Sequence, residues 1–230
     1  MCDTGAVSAS SLRARVRSEM HQEIKEVARR RLAEEGANLS LRAVARDMGI
    51  VASALYRYFP SRDALLTALI IDGYESLGAA AVAAEAEVAR EDLRGRWLAV
   101  CRAVRSWALA HPAEYGLLYG NPVPGYAAPP ETAVPASAVI LLLAAIVGEA
   151  PGSPAGPPLP APVRTDLRRL IEQQGGDLPE ERLDRALLAW THLFGQVGFE
   201  VFNRLQDMIQ ARAEYFDHHM GLVADLAGVP

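Results

Sequence analysis

The chain has 230 residues, half of them hydrophobic, and a net charge of −5 that divides into +3 over residues 1–65 and −8 over the remainder. That length suits a small domain joined to a larger one, and a basic head on an acidic body suits a polyanion-binding module attached to a part that does not touch the polyanion, unless the imbalance is chance on solvated helices. Two cysteines, Cys2 and Cys101, with no C-x-x-C pair exclude a disulfide framework and a cysteine zinc site and fit a reducing cytosol.

No β-branched alternation of any length occurs, while Ala, Leu, Arg and Glu recur at helical periods, so the prediction is an all-α protein. Residues 1–12 are small and polar and read as disordered. Arg13, Arg15 and Arg17 follow at every second position: either an extended arm reaching phosphates or a minor groove, or a solvated, frayed helix start. Helix is predicted over 18–35, with Ile24, Val27, Ala28 and Leu32 inward and Gly36 closing it. Arg29, Arg30 and Arg31 spread around that helix, which reads as a solvated face. Ser40 is placed to cap the next helix, with Leu39 and Val44 as a hydrophobic staple.

Leu41, Val44, Ala45 and Met48 then share one helical face, and Gly49 supplies the break. A second helix fits 52–58 and is stopped by Pro60. Two short helices around a glycine turn form a helix-turn-helix, whose second helix is small enough to enter a DNA major groove. Ser61 caps a long helix reaching about Arg90, a rigid strut from the basic head into the acidic body.

Residues 92–110 form a helix with Trp97, Val100, Cys101 and Val104 inward; Cys101 reads as an inert buried thiol. Pro112 opens a short helix ending near Leu118, and the proline-rich stretch 120–130 is an extended loop. Helix follows over 131–148, then a Pro/Gly/Ala linker over 150–162 and a weaker helix over 163–174 ended by Gly175-Gly176. Two last helices run from near Pro179 to Leu205 and over 210–227. The N-terminus lacks a signal-peptide core, and the most apolar run, 138–147, is far too short for a bilayer, so a cytoplasmic protein without membrane contact is expected.

The motif Leu41…Val44-Ala45…Met48-Gly49-Ile50…Leu55-Tyr56-Arg57-Tyr58-Phe59-Pro60-Ser61-Arg62-Asp63 resembles the helix-turn-helix of TetR-family transcriptional regulators, over about residues 17–66. His111-Pro112-Ala113-Glu114-Tyr115, the 121–126 loop and Trp190…Leu193-Phe194-Gly195 resemble the WHG-type C-terminal domain of that family. The resemblance implies a bacterial homodimer, probing a palindromic operator with residues 13–63 and binding a small apolar effector and its twin with residues 64–230. By position it implies that Tyr56, Tyr58 and Arg62 meet phosphates, while Arg42, Ala52 and Ser53 reach base edges. Phenolic and guanidinium donors suit phosphate oxygens, and Arg57 suits guanine if it points into the groove. Tyr56 and Tyr58 as half-buried core aromatics, and Arg57 as a plain surface residue, are the alternatives.

Two positions depart from the family pattern. Val51 stands where Ser or Thr is usual, removing an N-cap, and Phe194 stands where a histidine precedes Gly195. For the effector, Trp97, Trp107, Tyr115, Tyr119, Tyr126, Trp190 and Phe199 are candidate lining residues, each equally explained as core. For the dimer, Leu187, Phe194, Gly198, Val201, Tyr215 and Met220 are candidates on the two last helices. No G-x-S-x-G, P-loop, G-x-G-x-x-G or H-E-x-x-H occurs, and adjacent His218-His219 make a poor metal pair; no enzyme, cofactor or metal is expected. Repression is the favoured sense, since a dimer on a promoter excludes polymerase. A helical interaction module, or a small-molecule-binding protein without operator recognition, is the alternative.

Overall fold

The computed structural model describes residues 9–36, 39–152, 157–173 and 175–230, without the side chains of 9–11 and 35. Among the described residues every regular element is helical. The order is α1 (Ala9–Glu35), α2 (Leu41–Asp47), α3 (Ala52–Leu55), α4 (Arg62–Ala86), α5 (Leu93–Ala110) and α6 (Pro112–Tyr119). After a 3-10 turn at Pro130–Thr132 come α7 (Ala133–Ala136), α8 (Ala138–Glu149), α9 (Ala161–Gln173), α10 (Glu180–Val201) and α11 (Arg212–Ala227).

Two apolar cores form, and α4 runs through both. Ile24, Val27 and Ala28 of α1, Leu41, Val44 and Ala45 of α2, Leu55 and Phe59, and Leu65, Leu66 and Leu69 of α4 close the first. Further along α4, Leu77 and Ala81 join Trp97, Val100, Cys101 and Val104 of α5, Leu143 and Ile146 of α8, and Leu193 and Val197 of α10 in the second. α4 is the single described helix long and apolar enough to match a bilayer, but here its apolar faces fill these two cores. Burial holds the Cys101 thiol pKa well above its usual value, so the thiol stays protonated and unreactive.

Local signals place the head's turns. Gly49 adopts φ 66°, and the Ile50 amide reaches back to the Ala45 carbonyl at 3.0 Å, a Schellman closure of α2. A Cβ on Gly49 would touch nothing within 4 Å, so only backbone strain opposes a side chain there. Gly49→Ala is therefore expected to cost about 1–2 kcal/mol, measurable by urea denaturation, without changing the surface around it. The Ser61 hydroxyl accepts the Ala64 amide at 3.0 Å and caps α4, whereas Ser40 makes no side-chain cap.

Several expectations change. α1 begins at Ala9, so Arg13, Arg15 and Arg17 ride a helix rather than an extended arm; nothing in 9–17 breaks helix, and exposed Leu12 and Val16 show that this end lacks a packing partner. The other part of the predicted disordered tail, residues 1–8, lies outside the described residues, as do 153–156 of the predicted linker. Arg29 and Arg31 are not a solvated face. Arg29 and Lys25 grip Asp72 of α4, and Arg31, only 7% exposed, holds Asp47 of α2 with two hydrogen bonds. The predicted helix 131–148 is broken by 42° at Ser137, whose hydroxyl donates to the Val134 carbonyl at 2.8 Å. α10 stops at Val201, where Asn203 at φ 56° ends it in a second Schellman turn.

Candidate nucleic-acid interface and body cavity

α2 and α3 are held from behind, which frees their outer faces. Arg31 fixes the end of α2, and buried Leu55 anchors α3. α3 is shorter than predicted: regular helix ends at Leu55, and Arg57 and Tyr58 close tighter turns onto Ala54 and Leu55. Pro60 disfavours α conformation at Phe59, so the helix winds down over these residues.

The predicted contact residues divide by direction. Arg42, Ser53, Tyr56 and Arg57 are exposed, Tyr56 by 44%. Ala52 is half-buried against the head core. Tyr58 is wedged against α1, its ring edge-on to His21 at 5.3 Å, with the Arg17 guanidinium 5.7 Å above it. Burial, then Arg17 and Lys25, hold the His21 pKa below its usual value, so this imidazole supports Tyr58 as a neutral ring. Arg62 donates from Nε to the Leu39 carbonyl at 3.1 Å, tying the start of α4 to the approach to α2. Arg46 was not singled out; it lies exposed one turn beyond Arg42, and that i,i+4 spacing was the available signal.

Val51 is 70% exposed at the start of α3 and gives no side-chain cap. Val51→Ser is expected to stabilise the head by about 1 kcal/mol, seen as a higher melting temperature.

In the body, a cavity of about 520 Å³ opens between α6 and the C-terminal half of α10. Tyr115, Tyr119 and Phe199 line it as predicted, joined by Phe194, Phe202 and four glycines, with Asn121 and Arg204 as its polar groups. It is therefore not the wholly apolar site expected for an apolar effector. The Tyr115 hydroxyl donates to the Phe194 carbonyl at 2.7 Å, and burial pushes the pKa of Tyr115 and Tyr119 upward, keeping both protonated.

The other predicted lining residues lie elsewhere. Trp97 is in the core, donating to the Met220 carbonyl at 3.0 Å, and Trp190 packs against the same core beside Phe194. Trp107 bonds Ser76 and stacks on His111 at the junction with α4. Tyr126 belongs to the head: its hydroxyl meets Thr67 at 3.0 Å, and Val123 beside it is buried in the head core. The 120–129 loop thus leaves the cavity at Gly120 and Asn121 and ends in the head.

The predicted dimer residues mostly face inward. Phe194 lies 4.2 Å from Tyr119 between ring centroids, Met220 is fully buried, and Val201 packs on the body core. A Cβ on Gly198 would point at the Tyr115 hydroxyl at 3.5 Å, and Leu187 lines an aliphatic groove beneath α9. Tyr215 alone of the six borders an outward face. That face carries Leu188, His192, Gly195 and Phe199 on α10 beside Tyr215, His219, Leu222 and Leu226 on α11, each set at i, i+4, i+7, i+11. The two rows lie side by side, with the His192 and His219 ring centroids 5.9 Å apart. The row expected from sequence, Leu187, Phe194 and Gly198, lies one residue away from this outward row, a rotation of about 100° around the helix.

Comparison with known proteins agrees with this geometry. Residues 24–69 match the bacterial regulatory proteins of the tetR family, and residues 97–223 match the tetracyclin repressor-like C-terminal domain. The HTH-type transcriptional regulator Rv1816 of Mycobacterium tuberculosis is 36% identical over 224 residues, covering 94% of each chain. The crystal structure of SCO4313 is similar at 31% identity and a TM-score of 0.77, covering 92% of this chain and 98% of that one. PfmR, a TetR-family transcriptional regulator from Thermus thermophilus, shares the fold at 18% identity and a TM-score of 0.56, over 90% of this chain and 98% of its own.

Proposed function

Because the chain belongs to the TetR family of bacterial transcriptional regulators, and is not an enzyme, we propose that it is a repressor that binds a palindromic operator as a homodimer and is released by a small molecule. The observation that carries this reading is the outward set Arg42, Ser53, Tyr56 and Arg57 on a helix-turn-helix braced from behind. In the proposed complex, Tyr56 donates to a phosphate, and Arg42, Ser53 and Arg57 face base edges, with half-buried Ala52 at the start of the helix behind them. Arg46 adds a further phosphate donor. Tyr58 and Arg62 meet phosphates with whatever donor capacity their internal contacts leave. Residues 13–63 form the DNA-binding unit, completed by the first turns of α4; residues 64–230 bind effector and twin. Such a protein works in the cytoplasm, on its own chromosome.

Dimerisation through the α10/α11 face makes a four-helix interface and sets two recognition helices about 34–36 Å apart, or slightly more, in successive major grooves. The cavity between α6 and α10 is the effector site. α6 also touches α1 across Pro112, Ala113 and Leu117, so a ligand that shifts α6 changes how the heads are held. Coupling needs only that ligand bind one head spacing better than the other.

The test is a mobility-shift titration against the chain's own upstream intergenic DNA at two salt concentrations. Specific binding is expected, weakening steeply with salt as counterions are released. Arg42→Ala and Tyr56→Phe should each weaken it about tenfold or more, as loss of a charge-assisted hydrogen bond does. No specific shift, followed by failure of random-site selection, would instead support an effector-binding or interaction module without operator recognition.

A further inference from the structure

The cavity between α6 and α10 combines ring faces with one unpaired charge. Tyr119 and Phe194 lie with centroids 4.2 Å apart, Tyr115 and Tyr119 5.2 Å, and Tyr115 and Phe202 6.1 Å. Between the rings, Gly116 of α6, Gly120 just after it, and Gly195 and Gly198 of α10 add backbone surface to the lining. Rings edged by glycine backbone favour an aromatic ligand that can pack against ring faces.

Among the described residues, Arg204 is the sole ionisable cation in the lining, and no carboxylate lines the cavity. Elsewhere in the body Arg90, Arg94, Arg96, Arg102 and Arg105 each hold an Asp or Glu. Arg204 has no such partner among the described residues; its guanidinium lies 5.5 Å over the Phe199 ring. In a body of net charge −8, an arginine left without a carboxylate beside an aromatic slot is poised for an anion from outside. Its position is built in: Asn203, at φ 56°, turns the chain, and the Arg204 amide closes onto the Phe199 carbonyl at 2.8 Å.

We infer that this cavity takes an aromatic carboxylate, its ring system against Tyr119 and Phe202 and its carboxylate on Arg204, with the Asn121 amide as a second donor. This rests on the cavity being the effector site. An aliphatic acid fits less well, because it makes no ring-face contact. A neutral aromatic leaves Arg204 unanswered.

The test is calorimetric titration of the full chain with 2-naphthoate, 2-naphthamide, benzoate and cyclohexanecarboxylate, repeated on Arg204→Gln. Arg204 is exposed, so this variant should melt as wild type does. The expected result is that 2-naphthoate binds at least tenfold tighter than its amide, benzoate binds tighter than its saturated analogue, and Arg204→Gln abolishes the acid-over-amide preference. Equal binding of acid and amide, a preference that survives Arg204→Gln, or no binding by either aromatic acid would overturn the inference. A parallel mobility shift separates the two readings. Binding of 2-naphthoate without release of DNA would leave the ligand class standing and remove the effector role. DNA binding without any aromatic-acid binding would do the reverse.

Discussion

Leu222→Asp combined with Leu226→Asp should turn the protein into a monomer in sedimentation velocity and reduce operator affinity by two or more orders of magnitude. Both leucines project from α11, 48% and 52% exposed, next to the Leu188 and Phe199 row on α10. Burying the exposed half of each against a twin contributes about 1 kcal/mol, and the two-fold axis counts every residue twice. Aspartates there remove that term and set like charges against each other across the axis. Because both side chains are exposed in the protomer, its melting temperature should change little, which separates loss of pairing from loss of folding. Gly198, predicted from sequence as a dimer contact, should behave differently: bulk there presses on Tyr115 and damages the cavity first. A double variant that remains dimeric would sink the α10/α11 interface.

Arg96→Ala is expected to cost about 3–5 kcal/mol of folding stability. Arg96 is only 1% exposed, and its guanidinium bridges Glu85 at the end of α4, Glu149 at the end of α8 and the Arg90 carbonyl between α4 and α5. Removing it leaves two partly buried carboxylates with only the exposed Arg90 as counter-charge. The hydrogen bond from Arg96 is the main cause of a lowered Glu149 pKa. A carboxylate of that kind stabilises the fold fully above its ordinary value of 4.5 and loses the effect as pH falls through the lowered native value. Wild type should therefore lose this part of its stability only in that acid range, and Arg96→Ala should show a smaller step, since Arg90 still faces Glu149. Urea denaturation at neutral and acid pH measures both effects.

How much of this was legible in the sequence follows from the range of each interaction. Gly49, Ser61 and the Leu41/Val44/Ala45 face act within a turn or two of themselves, so the helix-turn-helix could be read residue by residue. Arg29, Arg31 and Arg96 could not be, because their carboxylates lie 43, 16 and as many as 53 residues away. α10 shows a different difficulty. Both its core row, with Phe194 and Val197, and its outer row, with Leu188 and Phe199, are apolar, so periodicity finds a helix without saying which row meets its own body. Of the cavity, the aromatic residues of α6 were visible as types. Arg204 was not, since its meaning comes from the turn at Asn203 and from the absence of a carboxylate beside it among the described residues. Tyr126 was assigned to the wrong compartment because a proline-rich loop carries no periodic signal to show which core it enters.

The reach of that loop bears on modularity. With Val123 buried among head residues and Tyr126 bonded to Thr67, the head's core contains a piece of chain that is contiguous with the C-terminal body. A head cut out before α5 would expose the apolar surface those residues cover. Grafting it onto another body would leave a gap unless the segment 121–126 travelled too. Operator specificity in a protein built this way is not a free cassette. Recombination between relatives would preserve function most readily where the recipient already supplies a matching loop, which ties the history of the helix-turn-helix head to that of the body.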